Sequence, residues 1–236
     1  MAYYRTQKPA KSEQPPKSPI TTYWPHTCSF RETERDCEQV VMIDPGVRNF
    51  CIRCEVRFKT GYMEPKLYAK WDVAVADLSG EDVFVTTAEL SRRLNEHKDL
   101  LSKTDRVLIE RQLPINYQST LIMQHCLTYF EILLADKPNL PTIHLVDPQL
   151  KSRILAGKRK MTKPELKAWS PGEATIWLMK QNDQWSINLL EKSKKKDDFA
   201  DVVVMREAYY RFVKSPFTTP DEGVKAKRIT FKVMNE

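Results

Sequence analysis

Glycine is scarce in this chain, 6 residues in 236 against 15 prolines. That balance argues against long flexible linkers and for proline-punctuated ends around one large domain. No apolar run of about 18 residues occurs, which excludes a simple membrane-spanning helix. Met1 to Ser12 also lacks the apolar stretch of a secretory signal. The 5 cysteines are odd in number and have no framework spacing, so they read as reduced thiols. Cys51 and Cys54 form a Cys-x-x-Cys, but three positions apart on a strand they point to opposite faces. The 4 histidines offer no short-spaced His or Cys group of the kind a zinc hydrolase needs. His97 lies among charges and His125 in an apolar segment, both structural settings. Serine and cysteine nucleophile motifs are missing too. These absences predict a soluble intracellular chain, cytoplasmic or nuclear. Residues 1–39 mix acids with bases and form no amphipathic helix, which argues against a mitochondrial address.

What is present is globular: 41% hydrophobic residues and 10% aromatics, enough to bury a core. The formal charge of +7 points to an anionic partner, nucleic acid being the commonest, with a membrane surface or plain solubility as alternatives. Residues 1–38 read as a basic, proline-rich tail whose Tyr23-Trp24 patch docks on the domain. Residues 39–213 form the domain, and residues 214–236 a second tail.

The apolar run Val40-Val41-Met42-Ile43 reads as a buried central strand ending in Asp44, and Pro45-Gly46 turn the chain into a second strand from Phe50 to Phe58. A third strand, Lys66 to Val75, completes an antiparallel meander. An amphipathic helix follows from a Thr87 cap to Leu101. Arg106 to Glu110 repeats the design of an apolar strand closed by a carboxylate. Gln118 to Ala135 is helical in pattern, and Thr142 to Asp147 is a fifth strand. Strand, helix, strand, helix, strand implies right-handed crossovers and a parallel half-sheet attached to the meander. The fold class is therefore α/β, with a five-stranded mixed sheet flanked by helices. Pro171 to Leu190 reads as helix with Trp177, Leu178, Trp185, Ile187 and Leu189 in the core, and a last helix runs from about Asp197 to Phe212.

Two basic stretches stand out. One carries Lys151, Arg153, Lys158, Arg159, Lys160, Lys163 and Lys167; the other is Lys192 to Lys196. Either is a solvated face or a surface that tracks phosphates.

The carboxylates carry the chemistry. Asp198 and Asp201, three apart on a helix, share one face and repel each other unless a cation lies between them. Alone they are an acidic helix start. With Asp44 and Glu110, each at the end of a central strand, four carboxylates converge. Oxygen ligands of that kind suit Mg2+ or Mn2+, and two such ions about 4 Å apart serve phosphodiester cleavage.

Ile43-Asp44-Pro45-Gly46-Val47-Arg48-Asn49, Leu108-Ile109-Glu110-Arg111-Gln112 and Lys195-Lys196-Asp197-Asp198-Phe199-Ala200-Asp201 resemble, in order, the three acidic motifs of RuvC-type Holliday junction resolvases, in the ribonuclease H-like superfamily. Their wording is closest to the poxvirus and fungal mitochondrial branch, so a large DNA virus is a plausible source. The resemblance implies a magnesium-dependent endonuclease for four-way and other branched DNA, with alternatives in another ribonuclease H-like nuclease acting on hybrid or flap DNA, or a non-cutting junction-binding protein. It implies Asp44, Glu110, Asp198 and Asp201 as ligands for two Mg2+ or Mn2+ ions, with Asp197 as alternative to Asp198. It also implies Lys151 as the basic residue after the fifth strand that stabilises charge on the scissile phosphate. Lys158, Arg159, Lys160, Lys163, Lys195 and Lys196 are the expected DNA-binding residues. A two-fold symmetric junction calls for a homodimer, with the helix from Gln118 to Ala135 as the contact.

Overall fold

The structure is a computed structural model that describes residues 20–24, 36–74, 82–138, 141–157 and 161–218. Val40 to Ile43 become the fully buried centre of β2 (Cys37–Pro45), which hairpins into β3 (Phe50–Phe58) and then β4 (Met63–Trp71). After α1 (Asp82–Asn95) and the short α2 (Lys98–Leu101), β5 (Arg106–Glu110) pairs parallel with β2. α3 (Tyr117–Leu134) crosses over to β6 (Thr142–Val146), parallel to β5. Four helices follow among the described residues: α4 (Leu150–Leu155), α5 (Lys163–Lys180), α6 (Gln184–Lys192) and α7 (Lys196–Phe212).

The sheet holds the five expected strands and a sixth. β1 (Ile20–Trp24), from the segment read as a tail, pairs antiparallel with β6 and gives the order β1-β6-β5-β2-β3-β4. Strand alternation sorts the core into two layers. Val41, Ile43, Ile52, Val107 and Ile109 pack with Leu90 and Leu94 of α1 and Ile122 and Phe130 of α3. Val40, Met42, Cys51 and Leu108 pack with Ala174, Ile187 and Val203 from α5, α6 and α7. Cys51 and Cys54 do face opposite layers.

Three details depart from the sequence reading. Helix α1 starts at Asp82, and Thr87 lies inside it with its Oγ1 donating to the carbonyls of Val83 and Phe84. Trp185 is half exposed rather than core. Pro171 lies inside α5, which is started by a capping box between Thr162 and Glu165. The two histidines have structural partners: His97 stacks on Trp71, and His125 bonds Ser91 at 2.8 Å, tying α3 to α1. Among the described residues no helix is long and apolar enough to cross a membrane.

Candidate active site at the ends of the central strands

Register decides where the acids go. Ile43 of β2 pairs with Ile109 of β5 in parallel, so Asp44 and Glu110 end adjacent strands at the same edge of the sheet. They share the parity of Met42 and Leu108 and turn to the layer covered by α7. Helix α7 enters that edge with Asp197 and Asp198 in its first turn, and Asp201 follows one turn on. Its start is anchored from below. The Tyr68 hydroxyl donates to the Phe199 carbonyl, and the two rings meet edge to face, 4.8 Å apart at 87°.

Lys151 occupies the middle of the cluster. Only 1% exposed, its Nζ donates to Glu110 Oε2 at 2.7 Å and lies 3.2 Å from Asp201 Oδ1. Ser170 of α5 donates to the same Asp201 oxygen at 2.7 Å. Asp198 has its own surroundings: Lys70 of β4 lies 3.3 Å from its Oδ2, and the Asn49 amide, oriented to satisfy both neighbours, donates to that oxygen at 3.3 Å and accepts from Lys195. Asp197 pairs with Lys167 at 3.1 Å. Beside the cluster, Asp147 binds Arg111 at 2.7 Å and Arg153 at 3.6 Å.

The electrostatics are those of crowded acids. Burial, then the charges of Glu110 and Asp201, push the Asp44 carboxyl well above its usual range, against a smaller opposing pull from Lys151. Burial also raises Glu110, opposed by Lys151 and reinforced by Asp201. Asp198 is raised by burial, with Lys70 opposing. Burial alone would lower the Lys151 ammonium, but Asp201, Glu110 and Asp44 outweigh it and hold it above its usual range. The nearby Cys51 thiol is pushed up by burial and by Asp44, which makes it inert as a nucleophile.

The structure thus brings Glu110, Lys151 and Asp201 into contact, with Asp44 in their field, and sets Asp198 to the Lys70 side. The donor chemistry, carboxylate oxygens with a cationic group already among them, fits a hard divalent cation. The present side-chain positions do not assemble one: among the described residues no three acidic, histidine or cysteine groups stand close enough to hold a metal ion. Lys163, Lys195 and Lys196 are exposed, the first at the start of α5 and the other two at the start of α7. Lys158, Arg159 and Lys160 lie outside the described residues. Sequence reasoning missed Lys70, Asn49 and Ser170, and it placed Lys167 in a basic stretch without its pairing to Asp197. Lys70 was findable only through register, because it pairs with Cys51, which pairs with Asp44.

A mixed sheet of this order, with acids ending its two central parallel strands and a helix bringing more across them, is a fold shared with solved structures. The yeast mitochondrial Holliday junction resolvase Ydc2 has the same fold, at TM-score 0.56 and 14% identity over 76% of this chain and 82% of that one. RuvC of Thermus thermophilus aligns at TM-score 0.48 and 14% identity over 75% of this chain and 97% of that one. In sequence, 123 residues are 28% identical to uncharacterized protein 97L of Invertebrate iridescent virus 3, covering 52% of this chain and 56% of that protein. The match therefore spans about half of either protein. No family model matches the chain.

Proposed function

We propose that this chain is a divalent-metal-dependent endonuclease that cleaves four-way and other branched DNA by phosphodiester hydrolysis. One observation carries the reading: parallel pairing of β2 with β5, crossed by α7, gathers Asp44, Glu110 and Asp201 around the buried Lys151, on the fold of a junction resolvase. No structural role needs mutually repelling carboxylates at one buried point. Asp44, Glu110, Asp198 and Asp201 would hold Mg2+ or Mn2+, two ions being expected, and such ions when bound activate water and stabilise the leaving oxygen. The chain's own contribution is orientation and charge. Ser170 fixes the Asp201 carboxylate, Lys70 and Asn49 fix that of Asp198, and Lys151 supplies a positive charge for a phosphate oxygen. Arg111 and Arg153, both held by Asp147, offer guanidinium forks to the neighbouring backbone.

The test is cleavage of an end-labelled four-way junction beside duplex, flap and RNA-DNA hybrid, with and without magnesium. Magnesium-dependent, paired cuts in the junction are expected. Preferential cutting of the hybrid or flap would move the chain to another ribonuclease H-like activity. Tight junction binding with no cutting in magnesium or manganese would make it a binding protein.

A further inference from the structure

The Lys151 ammonium sits where a ligand cation belongs. It is buried, it contacts one oxygen each of Glu110 and Asp201, and Asp44 is close enough for all three carboxylates to act on it. It occupies one oxygen of each of the two carboxylates, and one cation excludes another from the same oxygens. A single ammonium also balances only one of three carboxylate charges. Glu110 and Asp201 keep 13% and 21% of their side-chain surface exposed, so the pair is not sealed from the solvent from which a divalent ion would come.

Resting on the nuclease reading above, we infer that Lys151 is a resident counter-ion that must leave Glu110 and Asp201 for the site to load, and that a nucleic-acid phosphate is what takes it. The exchange is balanced in charge. The divalent cation takes the carboxylate oxygens, and the ammonium passes unchanged, with its three protons, to a phosphate oxygen. Pulling a buried ammonium from two carboxylates with nothing to receive it is strongly unfavourable. Cation and DNA therefore each make room for the other. By linkage the effect is reciprocal: the factor by which DNA tightens the cation is the factor by which the cation tightens DNA. Lys151 is in this sense the element that couples the two ligands, and the free protein is protected from loading without substrate.

The experiment measures Mn2+ binding, by the loss of the free-ion paramagnetic resonance signal, to wild type, Lys151→Met and Lys151→Arg at one fixed ionic strength. Each is titrated with and without a synthetic four-way DNA junction. Wild type should bind Mn2+ at least ~10-fold tighter with the junction present. Lys151→Met should bind Mn2+ at least ~10-fold tighter than wild type without DNA, and the junction should add less than ~2-fold. Lys151→Arg, which keeps the charge, should bind DNA-free Mn2+ no better than wild type. Equal or weaker Mn2+ binding by DNA-free Lys151→Met overturns the inference, as does a wild type indifferent to the junction. Should Lys151→Met not fold alone, recovery of its thermal transition on adding Mn2+ supports the exchange, and an unfolded chain at millimolar Mn2+ refutes it. A wild type that binds no Mn2+ with or without DNA removes the metal-nuclease reading itself, a result separable from failure of the coupling.

Discussion

Asp197 and Asp198 are sequence neighbours with different company. Asp197 turns to Lys167 on the exposed side of α5, whereas Asp198 is bonded by Lys70 and Asn49 and is raised by burial. Asp198→Asn is expected to lower magnesium-dependent cleavage on the order of 10²-fold or more, as does loss of one member of a set that acts together. Asp197→Asn should stay within a few-fold of wild type. Junction binding measured in calcium should be equal or slightly tighter for both, since each removes a negative charge near a polyanion. The reverse order of effects would put the third acidic position at Asp197. Lys70→Met should cost about 10-fold in the same assay through misplacement of Asp198, with the thermal transition as control. The strand-end places of Asp44 and Glu110 and the shared helix of Asp198 and Asp201 were legible in the sequence, because two end apolar runs and two share a helical spacing. Lys70 was not, since its place depends on two hairpin registers and on a register shift between Cys54 and Glu55.

At the level of elements, β3 shows what alternation cannot tell. Its charged residues Arg53, Glu55 and Arg57 follow the pattern of a half-solvated strand, yet all three are buried, because α6 and α7 cover that face and supply partners. Glu55 meets Arg53 at 2.6 Å, Arg57 at 3.1 Å and Arg206 of α7 at 2.8 Å, and Arg53 reaches Asp183 at 2.7 Å. Burial would raise the Glu55 carboxyl, but Arg206, Arg53 and Arg57 hold it down at about 2, below the ordinary 4.5. A folded pKa below the unfolded one contributes stability that is complete above about pH 4.5 and is lost as pH falls toward 2. The loss amounts to about 3 kcal/mol over that window. Glu55→Gln should therefore cost about 3–5 kcal/mol near neutral pH, by removing the charge that three buried guanidinium groups share and leaving them only Asp183 and Glu207, and should flatten the acid limb of the stability curve. Urea denaturation between pH 2.5 and 7 checks both; an unchanged limb would mean that other carboxylates dominate acid unfolding. Strand β1 was equally hidden. Pro19 and Pro25 bracket Ile20–Trp24, so composition reads as tail, and only pairing with β6 makes it a strand. The docking expected of Tyr23-Trp24 takes the form of an edge strand.

For the whole molecule, charge and symmetry set the expectations. With +7 overall and Lys163, Lys195 and Lys196 exposed, junction affinity should fall steeply with salt. Replacing Lys195 and Lys196 by Ala should weaken binding and reduce the log-log salt slope by about one per lost phosphate contact; an unchanged slope would make them solvated bystanders. Symmetry gives the last prediction. Each protomer carries one candidate site, whereas resolving a four-way junction takes two opposed cuts, so a two-fold dimer would supply two equivalent sites. Helix α3 buries Ile122, Met123, Cys126, Leu127, Phe130 and Leu134 against the sheet, which leaves Tyr117 and Ile132 as its large exposed apolar side chains, 66% and 73% accessible. They sit near opposite ends of one helix that follows directly from the loop carrying the exposed Leu113 and Ile115. A copy of the same helix laid across it would cover this surface and, by its symmetry, meet Ile132 near the partner's Tyr117 end. Ile132→Glu should then shift the protein from dimer to monomer in light scattering, lowering association by about 10²-fold for a buried apolar anchor replaced by a charge, while leaving the thermal transition of the isolated fold near wild type because the side chain is outside the core. Nicks in one strand, rather than paired cuts, should accumulate with that variant on a junction. If wild type is monomeric both alone and on the junction, α3 is not an interface and the two cuts are made in succession by separate molecules.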